Sequence, residues 1–360
     1  MKSKSQPAAL YCGIDVSGDT LDICYQIKDG TFQWAKVPNN PVGFKQIWKL
    51  TGKSYHLVME ATGVYQLPLC FFLEEKKARY SVLNALQVKR YMQMKLERNK
   101  TDKKDAFHIC MYAIEHRPQT YMMPNQLYFE CRSLNNAIET LTKQITSFKN
   151  KMHALESLDI DTKVIGNAYK KILRDLQSEL KKLEAELYHK LQEWHPEIVK
   201  QVRSVVGIGK RATAILVVST QAFEHTETYQ QLISYAGLSP KEYFSGTSIR
   251  GRVRICKQGG SLLRHTLYMC ALNAKKTNAA CKALFDRLVA KGKNKKLAII
   301  AVANKLLKQV FGVVKNGTLF DRNHFQNIAG LICFFTQFVL AAWQSLAYKF
   351  YEIKLVCWHL

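Results

Sequence analysis

The sequence predicts an α/β domain at the N-terminus, a helical coiled-coil connector, and a mainly α-helical C-terminal domain. Three observations lead to this fold class. Strand-like and helical segments alternate through the first third of the 360-residue chain, an apolar heptad repeat follows, and helical patterns dominate the remainder. The length and the 47% hydrophobic content allow two compact domains and exclude global disorder.

The strands of the N-terminal domain are indicated by short runs rich in β-branched and aromatic residues. Leu10 to Val16 and Leu21 to Ile27 come first, and Thr31 to Val37 follows the Asp29-Gly30 turn signal. The domain is completed by a helix from about Pro41 to Leu50, a strand from Tyr55 to Glu60, a helix from Val64 to Lys77, a strand from Arg79 to Asn84 and a helix from about Asp102 to Glu115. Three antiparallel strands followed by alternating helix and strand predict a mixed sheet.

Two heptad seams define the connector. The first consists of Leu134, Ile138, Leu141, Ile145, Phe148, Met152 and Leu155, and the second of Leu173, Leu176, Leu180, Leu183 and Leu187. Either the two helices fold back on each other as an antiparallel hairpin, or each pairs with a helix of another subunit. The repeat is compatible with both arrangements.

Globular patterning resumes at Val202, where VVGIGKRATAILV predicts two helices joined by a tight turn at Gly207 and Gly209. In helix-hairpin-helix proteins such a turn offers backbone N–H groups to a DNA phosphate, and Lys210 adds a charge. A simple helix-joining turn explains the same pattern. Helices are expected to dominate from Leu262 to Lys315.

The two ends of the chain and its cysteines indicate the cellular compartment of the protein. Ala329 to Ala347 is uncharged and long enough for a membrane span, but it contains several polar residues and follows a basic domain. A buried or dimer-forming helix, or a non-native extension, is therefore favoured over a membrane span. The first residues lack the apolar stretch of a signal peptide, and the ten cysteines include no C-x-x-C pair. We expect a protein of a reduced cytosolic compartment.

The charge of the chain points to a polyanionic partner. Fifty-three Lys and Arg against 28 Asp and Glu give a formal net charge of +25. Seventeen basic residues and only two acids, Glu242 and Asp286, lie between Lys241 and Lys315. Neutralising phosphates releases counterions and drives binding, so nucleic acid is favoured over an ordinary solvated basic face.

Four acids are the first group of candidate catalytic residues. Asp15 and Glu60 end two predicted strands, and Asp102 and Asp105 stand three residues apart on one predicted helix face. Carboxylates brought together repel one another unless a cation neutralises them, and hard divalent ions, Mg²⁺ above all, suit oxygen ligands. Two such ions can serve a phosphoryl transfer.

Each acid also has an ordinary structural explanation. Asp15 could start a turn, Glu60 could pair with a lysine, and Asp102 could cap its helix with Asp105 in the first turn. Taken together, acids closing two strands and opening a helix favour the metal interpretation.

The second candidate group surrounds a serine. Ser245 and Gly246 are followed by Ser248, and Arg250, Arg252, Arg254, Lys257 and Arg264 could bind phosphate. A serine hydroxyl becomes a good nucleophile only when a base or metal activates it. From composition alone, an ordinary Ser-Gly turn with arginines that hold a DNA backbone is the simpler explanation.

In this order the two groups resemble the insertion-sequence-110-type DEDD transposases, relatives of the Piv DNA invertases. The resemblance spans about Leu10 to Asp321. It rests on G-I-D near the start, M-E-A-T-G-V-Y, R-N-K-T-D-x-x-D-A, G-I-G, A-G-L-x-P, Y-x-S-G-x-S-x-R-G and L-R-x-x-L-Y. It implies an RNase-H-like (RuvC-like) nuclease domain at 9–120, a coiled-coil connector at 126–198 and a serine-bearing transposase domain at 199–326. The apolar tail at 327–360 is left without a role.

The resemblance also implies roles for single residues. Asp15, Glu60, Asp102 and Asp105 correspond to the DEDD ligands of two Mg²⁺ ions, and Ser245 to the nucleophile that joins a DNA 5′ phosphate. It further implies a homodimer or tetramer whose site combines domains of different subunits, and a guide RNA encoded by the element. The location that it implies is the bacterial cytosol, in association with the nucleoid. Two departures are Cys256, where the family commonly has serine, and the tail, because family members usually end near Phe325.

We therefore expect a metal-assisted serine recombinase that cuts and rejoins DNA at insertion-element ends and target through a phosphoserine intermediate. The alternatives are a hydrolytic nuclease resembling a Holliday-junction resolvase, with no covalent intermediate, and a non-enzymatic nucleic-acid-binding protein.

Overall fold

The computed structural model describes residues 10–27, 29–96, 101–157, 162–241, 244–245, 249–250 and 254–322. The chain divides into two compact units, Met1–Met123 and Pro124–Leu360. The finer domain boundaries stay predictions, and the apolar tail lies outside the described residues, as does Arg252.

The first unit is built on a five-stranded mixed sheet. Its elements are β1 (Leu10–Val16), β2 (Thr20–Gln26), β3 (Phe32–Pro38), α1 (Pro41–Thr51), β4 (Tyr55–Glu60), α2 (Leu67–Glu75), β5 (Arg79–Leu83), α3 (Ala85–Met94) and α4 (Asp102–His116). The strand order is β3-β2-β1-β4-β5, in which β1, β2 and β3 pair antiparallel and β4 lies parallel to both β1 and β5. The predicted mixed sheet is confirmed.

Each face of this sheet carries its own apolar core. Alternate residues of β1, such as Cys12 and Ile14, pack on one face with residues of α1 and α2. Tyr11 and Val58 belong to the other face, where α3 and α4 cover the sheet with Val88 and other buried residues. The side chains of one strand therefore alternate between the two cores. Residues an odd number of positions apart in a strand face opposite sides of the sheet, and residues two apart face the same side.

Helix α4 approaches β1 unusually closely. A Cβ atom on Gly13 would lie 2.3 Å from the carbonyl oxygen of Ala106 and 2.4 Å from the backbone nitrogen of Cys110. Only a glycine allows the helix backbone this close. The contact fixes α4 over the middle of β1.

The second unit opens with a long helical hairpin. Helix α5 (Gln126–Glu156) and helix α6 (Lys163–Trp194) pack on each other. The Lys190 ammonium lies 2.7 Å from Glu130, and the Phe148 and Tyr169 rings are 5.4 Å apart, so the two helices run antiparallel. Of the two arrangements left open by the heptad seams, the chain forms the hairpin. Coiled-coil packing as such stays a prediction.

The helices that follow share one core with the base of this hairpin. They are α7 (Pro196–Ser204), α8 (Lys210–Ser219) and α9 (Tyr229–Tyr235), then α10 (Ser261–Thr277), α11 (Ala279–Ala290) and α12 (Lys295–Lys315). Among the described helices, α12 is long and apolar enough to cross a membrane by length and composition. Its Leu306 and Leu307 are fully buried, so we assign α12 to the core of this unit.

A narrow β-hairpin connects α9 to α10. Strand β6 (Pro240–Lys241) pairs with β9 (Arg254–Ile255), and inside this ladder β7 (Phe244–Ser245) pairs with β8 (Ile249–Arg250). The sequence indicated only a turn at Ser245 and Gly246 here. The difference arises because strands of two residues are too short to show a period.

In the first unit, one helix has other bounds than predicted and another helix was not predicted. Helix α2 starts at Leu67 instead of Val64, because Gly63 has a φ of 64° and Pro68 favours the first turn of a helix. Helix α3 was missed, since it buries only Val88 and Tyr91.

Candidate active site

Asp15 and Glu60 lie at the carboxyl ends of two adjacent parallel strands. Ile14 of β1 is paired with Met59 of β4, so the next residue of each strand also lies beside its neighbour. Asp15 is two residues after Gly13, and Glu60 is two residues after Val58. Because side chains alternate along a strand, both acids face the α4 side of the sheet. Both are half-buried. The sequence placed these acids correctly at strand ends, and the register makes them neighbours.

Helix α4 brings the other two acids to the same end of the sheet. The Cys110 thiol lies 3.5 Å from the carbonyl oxygen of Tyr11. Asp102 lies 3.7 Å from Lys36, whose strand partner Asp22 is paired with Asp15, so the helix runs antiparallel to β1. Its first turn, with Asp102 and Asp105, therefore points toward the end of β1 at which Asp15 lies. Asp105 is buried, with 8% of its surface exposed, and the Asp102 side chain is 63% exposed.

The helix cap of α4 is Thr101 and not Asp102. The Thr101 side chain accepts a hydrogen bond from the Lys104 N–H, and its carbonyl accepts one from Asp105. The turn after β1 is closed by Ser17, whose hydroxyl bonds to Thr20. Capping is thus done by a threonine and not by Asp102, whereas Asp102 and Asp105 both lie in the first turn, where the helix dipole favours a negative charge.

A fifth carboxylate, Asp22, was missed by the sequence interpretation. It lies on the same face of the sheet as Asp15, and we call Asp15, Asp22, Glu60, Asp102 and Asp105 together the carboxylate row. Asp22 of β2 is the Cα partner of Asp15, and Lys36 of β3 is the partner of Asp22. The Lys36 ammonium lies 2.9 Å from Asp22 and 3.7 Å from Asp102. The hydrogen bond and charge of Asp22 raise the pKa of Lys36. Strand alternation alone could have placed Asp22 on this face, but its cross-strand partner could not be read from the sequence.

These residues have the donor chemistry for a hard divalent ion. Within the described residues, no three His, Cys, Asp or Glu side chains are close enough to hold a metal ion as they stand. Asp15, Glu60, Asp102 and Asp105 nevertheless offer carboxylate oxygens at one end of one sheet, which fits Mg²⁺ better than a soft metal. The neighbouring ammonium of Lys36 already compensates part of the negative charge.

The candidate serine lies on the second unit, in the inner ladder of the β6–β9 hairpin. Ser245 is paired with Ile249, and Arg250 with Phe244. Arg254 and Lys257 are exposed at the base of the hairpin. The acids and the serine are therefore contributed by different units of the chain.

Arg264 and Cys256 have structural contacts beside this hairpin. The Arg264 guanidinium donates to the carbonyl oxygens of Ala236 and Lys257, at 3.4 and 3.3 Å. The Cys256 thiol lies 3.8 Å from the carbonyl oxygen of Gln258.

The Gly-x-Gly turn joins α7 to α8. Gly207 has a φ of 106°, and a Cβ there would lie 2.7 Å from the Cβ of Ala274, so this glycine is required by backbone and packing. Gly209 is the N-cap of α8 and supplies no side-chain cap. The ammonium of the exposed Lys210 lies 5.3 Å from the Tyr188 ring centroid. Whether this turn binds phosphate stays a prediction.

Comparison with known proteins relates both units to enzymes of mobile DNA. The model of the DEDD-type IS110 domain, described as a transposase, matches residues 12–157, and that of the IS116/IS110/IS902 transposase family matches residues 199–286. The pilin gene-inverting proteins of Moraxella bovis and Moraxella lacunata are each 27% identical over 322 residues, covering 87% of this chain and 98% of their own. An uncharacterized 43.6 kDa protein of insertion element IS110 from Streptomyces coelicolor is 30% identical over 139 residues, covering 39% of this chain and 34% of its own.

Proposed function

Because the chain belongs to the IS110 family of transposases, we propose that it cuts and rejoins DNA at the ends of an insertion element and at its target. Family membership gives the general function, which is that of a transposase or DNA invertase acting on DNA. The mechanism is our proposal, and in it the first unit is a RuvC-like domain of the RNase H type. The strand order of its sheet and the acids at the carboxyl ends of β1 and β4 support this assignment.

The observation that carries the proposal is that the acids lie at one end of one face of the sheet. Asp15 and Glu60 are neighbours on one face, and the first turn of α4 presents Asp102 and Asp105 to the same end. In the proposed site these four side chains hold two Mg²⁺ ions. When bound, the ions would polarise the scissile phosphate and favour the ionised form of the attacking hydroxyl.

Ser245 supplies the nucleophile in this proposal. Its oxygen forms a bond to the phosphorus, the bond from phosphorus to the DNA 3′ oxygen breaks, and that oxygen takes up a proton. Later the 3′ hydroxyl of a second strand attacks the phosphoserine and releases the serine. Each step exchanges one phosphate ester for another, so rejoining requires no ATP.

The basic residues of the second unit would hold the nucleic acid. Arg250, Arg252, Arg254 and Lys257 are assigned to DNA phosphates around the hairpin. Arg264, which bonds two backbone carbonyls, is assigned to the structure of the hairpin base. The net charge of +25 would also accommodate a guide RNA, whose base pairing would choose the target.

A covalent-trapping assay tests the mechanism. The full chain is mixed with Mg²⁺, element-end DNA and any RNA that co-purifies, then denatured and separated on a gel. We expect a protein–DNA adduct that is absent with chelator and in Ser245→Ala and Asp15→Asn. Arg322→Ala, a substitution elsewhere on the second unit, is expected to leave the adduct. Metal-dependent cleavage without any adduct would instead assign the chain to the hydrolytic nucleases.

A further inference from the structure

An exposed tryptophan lies on the same face of the sheet as the acids. Trp34 of the edge strand β3 is the Cα partner of Cys24, and Lys36 is the partner of Asp22, so Trp34 and Lys36 share the α4 face. Trp34 is 43% exposed. Two strand residues separate it from the Lys36 position by about 7 Å. A large apolar ring is thus presented beside the candidate active site.

The Trp34 ring packs against another aromatic ring and has a lysine ammonium beside it. Phe107 of α4 lies 6.4 Å from Trp34, centroid to centroid, and is itself braced by Phe32 at 5.1 Å. The Lys103 ammonium lies 4.6 Å from the centroid of the Trp34 ring. Packing therefore restricts the orientation of the indole, while the flexible lysine can leave it.

We propose that Trp34 is a stacking platform for an unpaired base of the DNA strand that is cut at the neighbouring acids. This inference rests on the proposed function, because the acids define where the strand passes. An indole offers a flat surface on which any base can stack. The incoming base would displace the Lys103 ammonium, which would then pair with a phosphate of the same strand.

Charge complementarity favours a nucleic acid over a protein or an apolar ligand. Lys36 and Lys103 are both exposed and close to Trp34, and the whole chain carries a net charge of +25. Aromatic rings interspersed with lysines are typical of surfaces that bind single strands. DNA is assigned as the strand because the carboxylate row beside the platform is the proposed DNA-cleaving site.

Equilibrium binding to three oligonucleotides of the same sequence tests the platform. The full chain is measured in chelator, without cleavage, against single-stranded DNA, duplex DNA and single-stranded RNA, at an ionic strength that weakens non-specific binding. Trp34→Ala is expected to lower the affinity for single-stranded DNA by roughly five- to a hundredfold, and that for duplex by less than about twofold. Trp34→Phe should retain part of the affinity, and 2-aminopurine placed in the strand should lose its quenching in Trp34→Ala.

Phe71→Ala is the matched control. Phe71 is 46% exposed, similar to Trp34, but it lies on α2, which covers the other face of the sheet. This variant should bind single-stranded DNA as the unsubstituted protein does. Lys103→Ala, which leaves the indole in place, should weaken single-strand binding less than Trp34→Ala does.

Three results would overturn the platform: no loss of affinity in Trp34→Ala, an equal loss for duplex and single strand, or a loss confined to RNA. The proposed function would fail differently. If Asp15→Asn still forms the covalent adduct, the acids are not catalytic, whatever the binding data show. If Asp15→Asn abolishes the adduct and Trp34→Ala binds single strands normally, only the platform fails.

Discussion

Lys36 forms ion pairs with two of the carboxylates at the candidate active site. Its ammonium bridges Asp22 and Asp102, which belong to a strand and to a helix. It is exposed, so solvent screens these two ion pairs and their contribution to stability is small. Its position beside the proposed metal ligands gives it a second effect, because a fixed positive charge opposes the binding of another cation.

Replacing Lys36 by an uncharged residue is therefore expected to lower the Mg²⁺ concentration that the reaction requires. In Lys36→Met, the Mg²⁺ concentration that gives half-maximal adduct formation should fall by about two- to fivefold, since one unit charge a few ångströms away is worth roughly 1 kcal/mol or less at a solvated site. A Mg²⁺ titration of the trapping reaction measures this change. Lys53→Met is the control, because Lys53 is exposed in the same unit just before β4, at the opposite end of that strand from Glu60. An equal shift in both variants would show that only the total charge matters.

Asp22 shows what the sequence could and could not reveal about the site at this scale. Asp15, Glu60, Asp102 and Asp105 could be singled out because strand ends and a D-x-x-D helix start are local patterns. Asp22 is placed by its cross-strand pairs with Asp15 and Lys36, and pairing register is set by the turns and by the whole sheet. The residue pattern of a single strand does not show with which residues of its neighbour it is paired.

At the scale of elements, the close contact between α4 and β1 positions half of the proposed ligands. Gly13 leaves room for the backbone of α4, and the same helix carries Asp102 and Asp105 in its first turn. A shift of the helix away from the sheet would separate these acids from Asp15 and Glu60. The packing of α4 against Gly13 therefore determines where Asp102 and Asp105 lie relative to the other two proposed ligands.

Gly13→Ala is expected to destabilise the first unit and to reduce activity together. The new methyl group would overlap backbone atoms of Ala106 and Cys110, which cannot move aside as a side chain can, and overpacking of this kind costs about 1–3 kcal/mol or more. Urea unfolding and the adduct assay measure the two effects. Gly166→Ala is the control, since no atom lies near the new methyl in α6 and alanine favours a helix. Normal stability of Gly13→Ala would contradict the close contact.

The elements themselves were largely predictable because their periodicity is strong. Strands β1 and β4 have the bounds expected from LYCGIDV and YHLVME, and the heptad seams correspond to α5 and α6. Helix α3 was missed because ALQVKRYMQM buries few residues and resembles a polar linker. The β6–β9 hairpin was missed because each strand contributes only two residues. In both cases the structure depends on tertiary contacts more than on local pattern.

At the scale of the whole molecule, the proposed chemistry is divided between the two units. The acids and the Trp34 platform belong to the first unit, and Ser245 with the basic hairpin belongs to the second. A site that needs both can be assembled within one chain or from two chains. The resemblance to the DEDD transposases predicts the second arrangement, and a mixture of two inactive variants distinguishes them.

Asp15→Asn and Ser245→Ala are each expected to form no adduct alone, because one lacks a ligand and the other the nucleophile. When equal amounts of the two variants exchange subunits at random, half of the dimers contain one chain of each kind. If the acids of one chain act on the serine of another, such a dimer has one site with both groups intact, and the adduct forms on the Asp15→Asn chain. Enlarging that chain with a tag identifies it on the gel. If each chain uses its own acids and serine, the mixture stays inactive at every ratio. Adduct on the Asp15→Asn chain would therefore establish a site shared between subunits, and its absence would place the acids and Ser245 of one chain in the same site.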